Sequence, residues 1–219
     1  MTISDSLHIA GEHRVMIQGL VGRLEVILDV PIDADQRYLA ILGHPHSLQG
    51  GTMNNKVVTT MARAFRELGI ASIRFNFRGV EKSEGTYDAG VGESDDMLHL
   101  LSLCERPEAT VFFAGFSFGS YVAFRALSLY QMESTHPSAL ISIAPPVHHY
   151  EYTPTPKTPW LVVIGNDDEV VPVDLVTEFV QIQNPAPDLD YFAATGHFFH
   201  GKLLELKARL QQHIRVWIA

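Results

Sequence analysis

Short apolar runs of strand length alternate with amphipathic stretches of helix length along most of this chain, and that alternation is the tightest constraint on its fold. RYLAILGHP (37–45), IASIRFNF (70–77), ATVFFAG (109–115), SALISIAP (138–145), PWLVVIGN (159–166) and LDYFAAT (189–195) are the apolar runs. Between them, NKVVTTMARAFRELG (55–69) puts Val58, Met61, Phe65 and Leu68 on one face, with Asn54 or Asn55 to cap its start and Gly69 to end it. DDMLHLLSLCE (95–105) and YVAFRALSLYQM (121–132) read as further helices, and KLLELKARLQQHIRVWI (202–218) closes the chain with Leu203, Leu206, Leu210, Ile214 and Trp217 on one side. Strands that alternate with helices pack as a mostly parallel sheet covered on both faces, because the crossover between parallel strands carries a helix. HRVMIQGLVGRLEVILDVP (13–31) precedes this pattern as two extended runs broken at Gly19 to Gly22, an antiparallel hairpin that brings the expected strands to eight.

With 219 residues, no internal repeat and no linker, positions 1–219 are expected to form one domain. The only proline-rich stretch is PPVHHYEYTPTPKTP (145–159). Hydrophobic residues at 46% and charged residues at 19% are those of a globular chain. The net charge of −9 and the lack of any basic run argue against nucleic acid and against an anionic membrane surface. One cysteine, Cys104, allows neither an internal disulfide nor a cysteine zinc site, and is expected as a small buried hydrophobe. No apolar run has membrane-spanning length and the first residues lack a signal-peptide pattern, so the cytoplasm is the expected location.

In a parallel sheet of this kind ligands bind at the carboxyl ends of the strands. There, Gly115-Phe116-Ser117-Phe118-Gly119 joins an apolar strand directly to a helix. This is G-x-S-x-G in the setting it requires, a sharp strand-to-helix turn that projects the serine hydroxyl. A serine hydroxyl is a weak nucleophile and needs a base, with a carboxylate behind it to fix the tautomer. His197, right after the strand DYFAAT and Gly196, is preferred as base over His200 at the start of the last helix and His213 within it. Three acids, Asp167, Asp168 and Glu169, follow the strand PWLVVIG, and Asp168 is preferred; Asp167 or Glu169 would then cap the helix that follows. The developing oxyanion is expected to meet the backbone N–H of Phe118 and one from the loop GHPHSLQGGT (43–52), where Pro45 has none and His46 or Ser47 supplies it.

These motifs together resemble a small, capless bacterial α/β-hydrolase of the dienelactone-hydrolase-like or serine-aminopeptidase-like group. The resemblance runs through HPHSLQGGTMNNKVV (44–58), RFNFRGVEKSEG (74–85), GFSFGS (115–120), GNDDEVVP (165–172) and GHFFHG (196–201). It implies an α/β-hydrolase fold without a cap domain, with acid and base at Asp168 and His197. Dienelactone hydrolases proper carry a cysteine nucleophile, where this chain has Ser117, and relatives usually carry glycine where this chain has Glu81.

The implied activity is that of a serine hydrolase acting on an ester, thioester or amide of a small molecule through an acyl-enzyme, without cofactor or metal. A catalytically silent scaffold that binds a ligand or partner, or an acyltransferase, are the alternatives. Activity should rise with pH through a histidine-like value, roughly 6–7. The histidine pairs 44/46, 148/149 and 197/200 suggest no metal site, since no H-E-x-x-H helix is present and the serine set accounts for one pair. Arg74 and Arg78 are expected to be structural, paired with acids such as Asp95 or Asp96. Only about a dozen residues separate SALISIAP from PWLVVIG, too few for a helical cap. The site should be open, with a rim drawn from His46, Tyr87, His148, Tyr150 and Phe199. The sequence does not indicate an oligomeric state.

Overall fold

The computed structural model describes residues 2–219. A short N-terminal helix, α1 (Ile3–Ser6), leads into the hairpin β1 (Gly11–Gln18) and β2 (Arg23–Val30). There follow β3 (Tyr38–Gly43), α2 (Lys56–Glu67), β4 (Ala71–Phe75), α3 (Val91–Ser102), β5 (Thr110–Phe116) and α4 (Phe118–Glu133). The chain ends with β6 (Ser138–Ile143), β7 (Trp160–Gly165), α5 (Val173–Ile182), β8 (Asp188–Phe192) and α6 (Leu203–Ile218). The strands form one eight-stranded sheet in the order β1-β2-β4-β3-β5-β6-β7-β8. β1 pairs with β2, and β2 with β4, antiparallel; every later pairing is parallel. Helices cover both faces, α2 against α6 and α3 against α4. No helix or strand lies between Ile143 and Trp160, so no cap stands over the carboxyl ends of β5 and β6.

Local chemistry explains most boundaries. The Asn55 side chain accepts the Val57 N–H at 2.9 Å and starts α2, whose Val58, Met61 and Phe65 are fully buried. Burying each of those side chains contributes about 2 kcal/mol, far more than helix propensity does. α3 begins at Val91, four residues before the apolar pattern suggested, and ends at Ser102 rather than Glu105. Gly90 (φ 93°) turns the chain, and the buried Glu93 carboxylate accepts the Asp88 and Gly90 N–H groups at 2.8 and 2.9 Å. A glycine cap and an inward carboxylate leave no apolar stripe to read in that first turn.

Both arginines singled out in the sequence form buried ion pairs, and the partner of Arg74 is set by strand register. Arg74 on β4 lies opposite Ile27, and its Nε donates to Asp29 on β2 at 3.1 Å. Its remaining N–H groups reach Glu12 on β1 (2.9 Å) and Asn54 before α2 (3.0 Å), so one buried guanidinium ties three strands to a helix start. Arg78 donates to Asp96, the buried neighbour of Asp95, at 2.8 Å. Glu81 has φ 49°, which costs a side-chain-bearing residue roughly 1 kcal/mol. Its carboxylate accepts the Asn76 side-chain amide at 3.0 Å, and that hydrogen bond offsets the strain.

Candidate active site

Ser117 follows β5 without an intervening residue and forms the N-cap of α4, with φ 53° and ψ −124°. That is a strained conformation for a residue with a side chain. Its N–H donates to the Ile143 carbonyl on β6 at 2.8 Å, so the sheet holds the turn in place. The glycines on either side are needed for backbone to pass. A Cβ on Gly115 would lie 2.0 Å from the Gly119 carbonyl oxygen, and one on Gly119 would lie 2.3 Å from the Gly43 carbonyl carbon of β3.

Asp168 and His197, from the loops after β7 and β8, meet beneath the surface. The His197 Nδ1 lies 2.9 Å from Asp168 Oδ2 and 3.1 Å from Oδ1, with side chains 3% and 0% exposed. Asp168 Oδ1 also accepts the Val170 and Val171 N–H groups at 2.9 and 2.8 Å, which fixes the carboxylate plane. Acceptors on that side hold the imidazole proton on Nδ1 and leave the Nε2 lone pair free. Glu169 accepts the His197 backbone N–H at 3.0 Å and braces its loop, while Asp167 is exposed. The Phe116 ring packs on the imidazole with centroids 4.9 Å apart.

Ser117 and His197 line the same small cavity of about 110 Å³ with Phe198 and Val170. Among the hydrogen bonds of the described residues none joins the serine hydroxyl to the imidazole, and such catalytic contacts commonly tighten only in the substrate complex. Ser117 also opens onto a cavity of about 370 Å³, lined by Phe118, His148, His149 and Tyr150 and by His46, Gln49 and Val170, which it shares with the first. Neither lining includes Asp, Glu, Lys or Arg. Burial holds His46 and His148 below the ordinary histidine range and raises the Tyr150 phenol, so at neutral pH the walls carry little charge. A larger hollow of about 730 Å³ opens at the other end of the sheet, by the starts of β5 and β6.

The loop after β3 makes a 3₁₀ turn over Ser47–Gln49. Among the hydrogen bonds of the described residues, the N–H groups of His46, Ser47 and Phe118 donate to no acceptor in the chain. His44 anchors this loop. The Phe77 N–H donates to its Nε2 at 3.0 Å and its Nδ1–H donates to the Pro45 carbonyl at 2.6 Å, a pattern that only the neutral ring can make. Burial accordingly pushes the His44 pKa down from 6.5 to about 4. The unfolded chain takes up a proton in that window and the folded chain does not. The contribution of His44 to stability is therefore full above pH 6.5 and falls as the pH drops toward 4, by about 3 kcal/mol. Urea-unfolding midpoints across this range should show that decline, and a shallower one in His44→Gln.

No family model matches the sequence. A protein of Xanthomonas campestris, a member of the α/β serine hydrolases without lid, is 41% identical, with a TM-score of 0.86 over 95% of this chain and 96% of that one. This chain belongs to the lidless α/β serine hydrolases. An α/β serine hydrolase homologue from Coxiella burnetii is likewise 41% identical, with a TM-score of 0.85 over 93% of this chain and 98% of the other. An uncharacterised protein of Rickettsia prowazekii (strain Madrid E) is 33% identical over 190 residues, 80% of this chain and 78% of its own.

Two rim residues expected from the sequence of this lidless hydrolase lie elsewhere. Phe199 is fully buried against Phe192 in the core (ring centroids 5.3 Å apart), because the chain turns after His197 and Phe199 itself has φ 53°. Its neighbour Phe198, 41% exposed, lines the small cavity instead. Tyr87 lines neither cavity and stands behind His46. His46, His148 and Tyr150 do line the larger cavity. Gln49 and Val170, also lining residues, lacked any signal in the sequence, since ordinary residue types in loops announce no role. Cys104 is buried and its thiol is pushed up to about 12, which makes it inert at neutral pH.

Proposed function

We propose that this lidless hydrolase cleaves small, uncharged esters or thioesters through an acyl-enzyme on Ser117, with His197 as general base and Asp168 as its orienting carboxylate, and that residues 1–219 act as one domain. The observation that carries this reading is the buried contact of 2.9 Å between His197 Nδ1 and Asp168, at a cavity that the strained Ser117 also lines. His197 Nε2 takes the serine proton as Oγ attacks the carbonyl carbon, then returns it to the leaving oxygen or sulfur as the acyl-enzyme forms. Water, deprotonated by the same imidazole, then attacks the acyl-enzyme and releases the acid and Ser117. The N–H groups of Phe118 and of His46 or Ser47 stabilise the oxyanion, each by about 3 kcal/mol.

Substrate charge follows from the walls. An ionised acyl group would lose water against linings that offer no opposite charge, so neutral acyl groups are favoured. A panel of esters and thioesters with neutral and carboxylate-bearing acyl chains, assayed with and without added alcohol, tests this. Free acid released from the neutral members is the expected product. Predominant transfer to the alcohol would make the chain an acyltransferase, and the lack of any turnover across the panel would leave a silent scaffold.

A further inference from the structure

Tyr87 lies outside both cavities, yet it contacts His46 and Phe118, two of the residues whose N–H groups are proposed as oxyanion donors, besides the Tyr150 phenol. His46 Nδ1 accepts the Leu48 N–H at 3.3 Å and so caps the turn that follows Pro45. A nitrogen that accepts there carries no proton, so in the neutral ring the proton sits on Nε2, 3.2 Å from the Tyr87 hydroxyl. The His46 and Tyr87 rings both pack on Phe118, with centroids 5.0 and 5.6 Å away, and on each other at 5.0 Å. Burial, aided by the imidazole of His149, outweighs the carboxylate of Glu93 on α3 and keeps the His46 ring neutral at neutral pH.

We propose that Tyr87 is a positioning residue, which orients the oxyanion-stabilising loop through the imidazole of His46. This rests on the proposed function, because it assigns a second layer to the same site. With the hydroxyl in place, the His46 ring has one orientation, one tautomer and one capped turn. Without it, Nε2–H loses its acceptor, the ring is free to turn about Cβ, and the N–H groups of His46 and Ser47 lose their fixed direction. Misdirected donors weaken transition-state stabilisation more than ground-state binding, so the loss should fall on kcat.

Tyr87→Phe tests this in the full chain because it keeps the ring packing and removes one oxygen. The expected result is a fall of about tenfold in kcat for a neutral ester, with KM within about twofold. The rate at which a fluorophosphonate labels Ser117 should fall in parallel, since that reaction also develops an oxyanion, while the melting temperature stays unchanged. In a His46→Ala background the same substitution should have little further effect on kcat, because the hydroxyl's other partner, the Tyr150 phenol, lines the acyl cavity and not the loop that carries the donors. A native kcat in Tyr87→Phe, a loss confined to KM, or the same factor in the His46→Ala background would overturn the inference. Ser117 that resists labelling in the unsubstituted chain would instead overturn the proposed function beneath it.

Discussion

Replacing Ser117 by alanine is expected to lower kcat for ester hydrolysis by about 10⁵-fold or more, with the fold intact. The size follows from the nature of the lost group. Without Oγ there is no acyl-enzyme, and His197 is left to activate water directly, aided only by the oxyanion donors and substrate binding. The intact fold follows from the structure, in which the hydroxyl makes no hydrogen bond to the described residues and the turn is held by backbone contacts to Ile143 and Ser120. Alanine bears the same positive φ as serine, so the melting temperature should move little. Initial rates on a neutral ester, with a thermal melt alongside, check both halves. Activity above one part in a hundred of the starting value would mean that another nucleophile is at work.

The second large effect is expected from Asp168→Asn, a loss of about 10⁴-fold in kcat. The structure gives the reason atom by atom. Asp168 Oδ1 accepts the Val170 and Val171 N–H groups, and Oδ2 faces the imidazole. An asparagine keeps the first two bonds through its carbonyl oxygen and then turns its NH₂ toward Nδ1. Nδ1 must then accept, the proton moves to Nε2, and the nitrogen that should take the serine proton has no free lone pair. Asp167→Asn should leave kcat within about twofold, since that side chain is exposed and faces solvent. The two substitutions differ by one position and by nothing in charge, so kcat values measured side by side separate catalytic geometry from general electrostatics. Equal losses, or a loss only in Asp167→Asn, would move the acid by one residue.

The sheet was legible in the sequence because buried parallel strands are nearly continuous apolar runs and their helices carry apolar stripes. The strand order was not, since nothing in the composition of IASIRFNF says that it inserts between the hairpin and β3. The contact between Asp168 and His197 could be anticipated because each side chain directly follows a strand, where topology leaves few directions to point. Phe198 and Phe199 could not be told apart: two adjacent identical residues exchange faces with a single positive φ, and the turn after His197 supplies it. Tyr87 was read as a rim residue from its type, whereas its place behind His46 depends on how the long loop after β4 folds around the buried Glu93 carboxylate. The partner of Arg74 was hidden for a like reason, because the register between β2 and β4 is set by the hairpin and brings Asp29 within reach.

The most direct measurement is peptide mapping by mass spectrometry after treatment with a fluorophosphonate at neutral pH. One phosphonyl adduct per chain, on the peptide holding Gly115 to Ser120 and localised to Ser117, is the expected result. A chain left unmodified under conditions that modify a known serine esterase, or modified at any other residue, would contradict the assignment of Ser117 as an activated nucleophile.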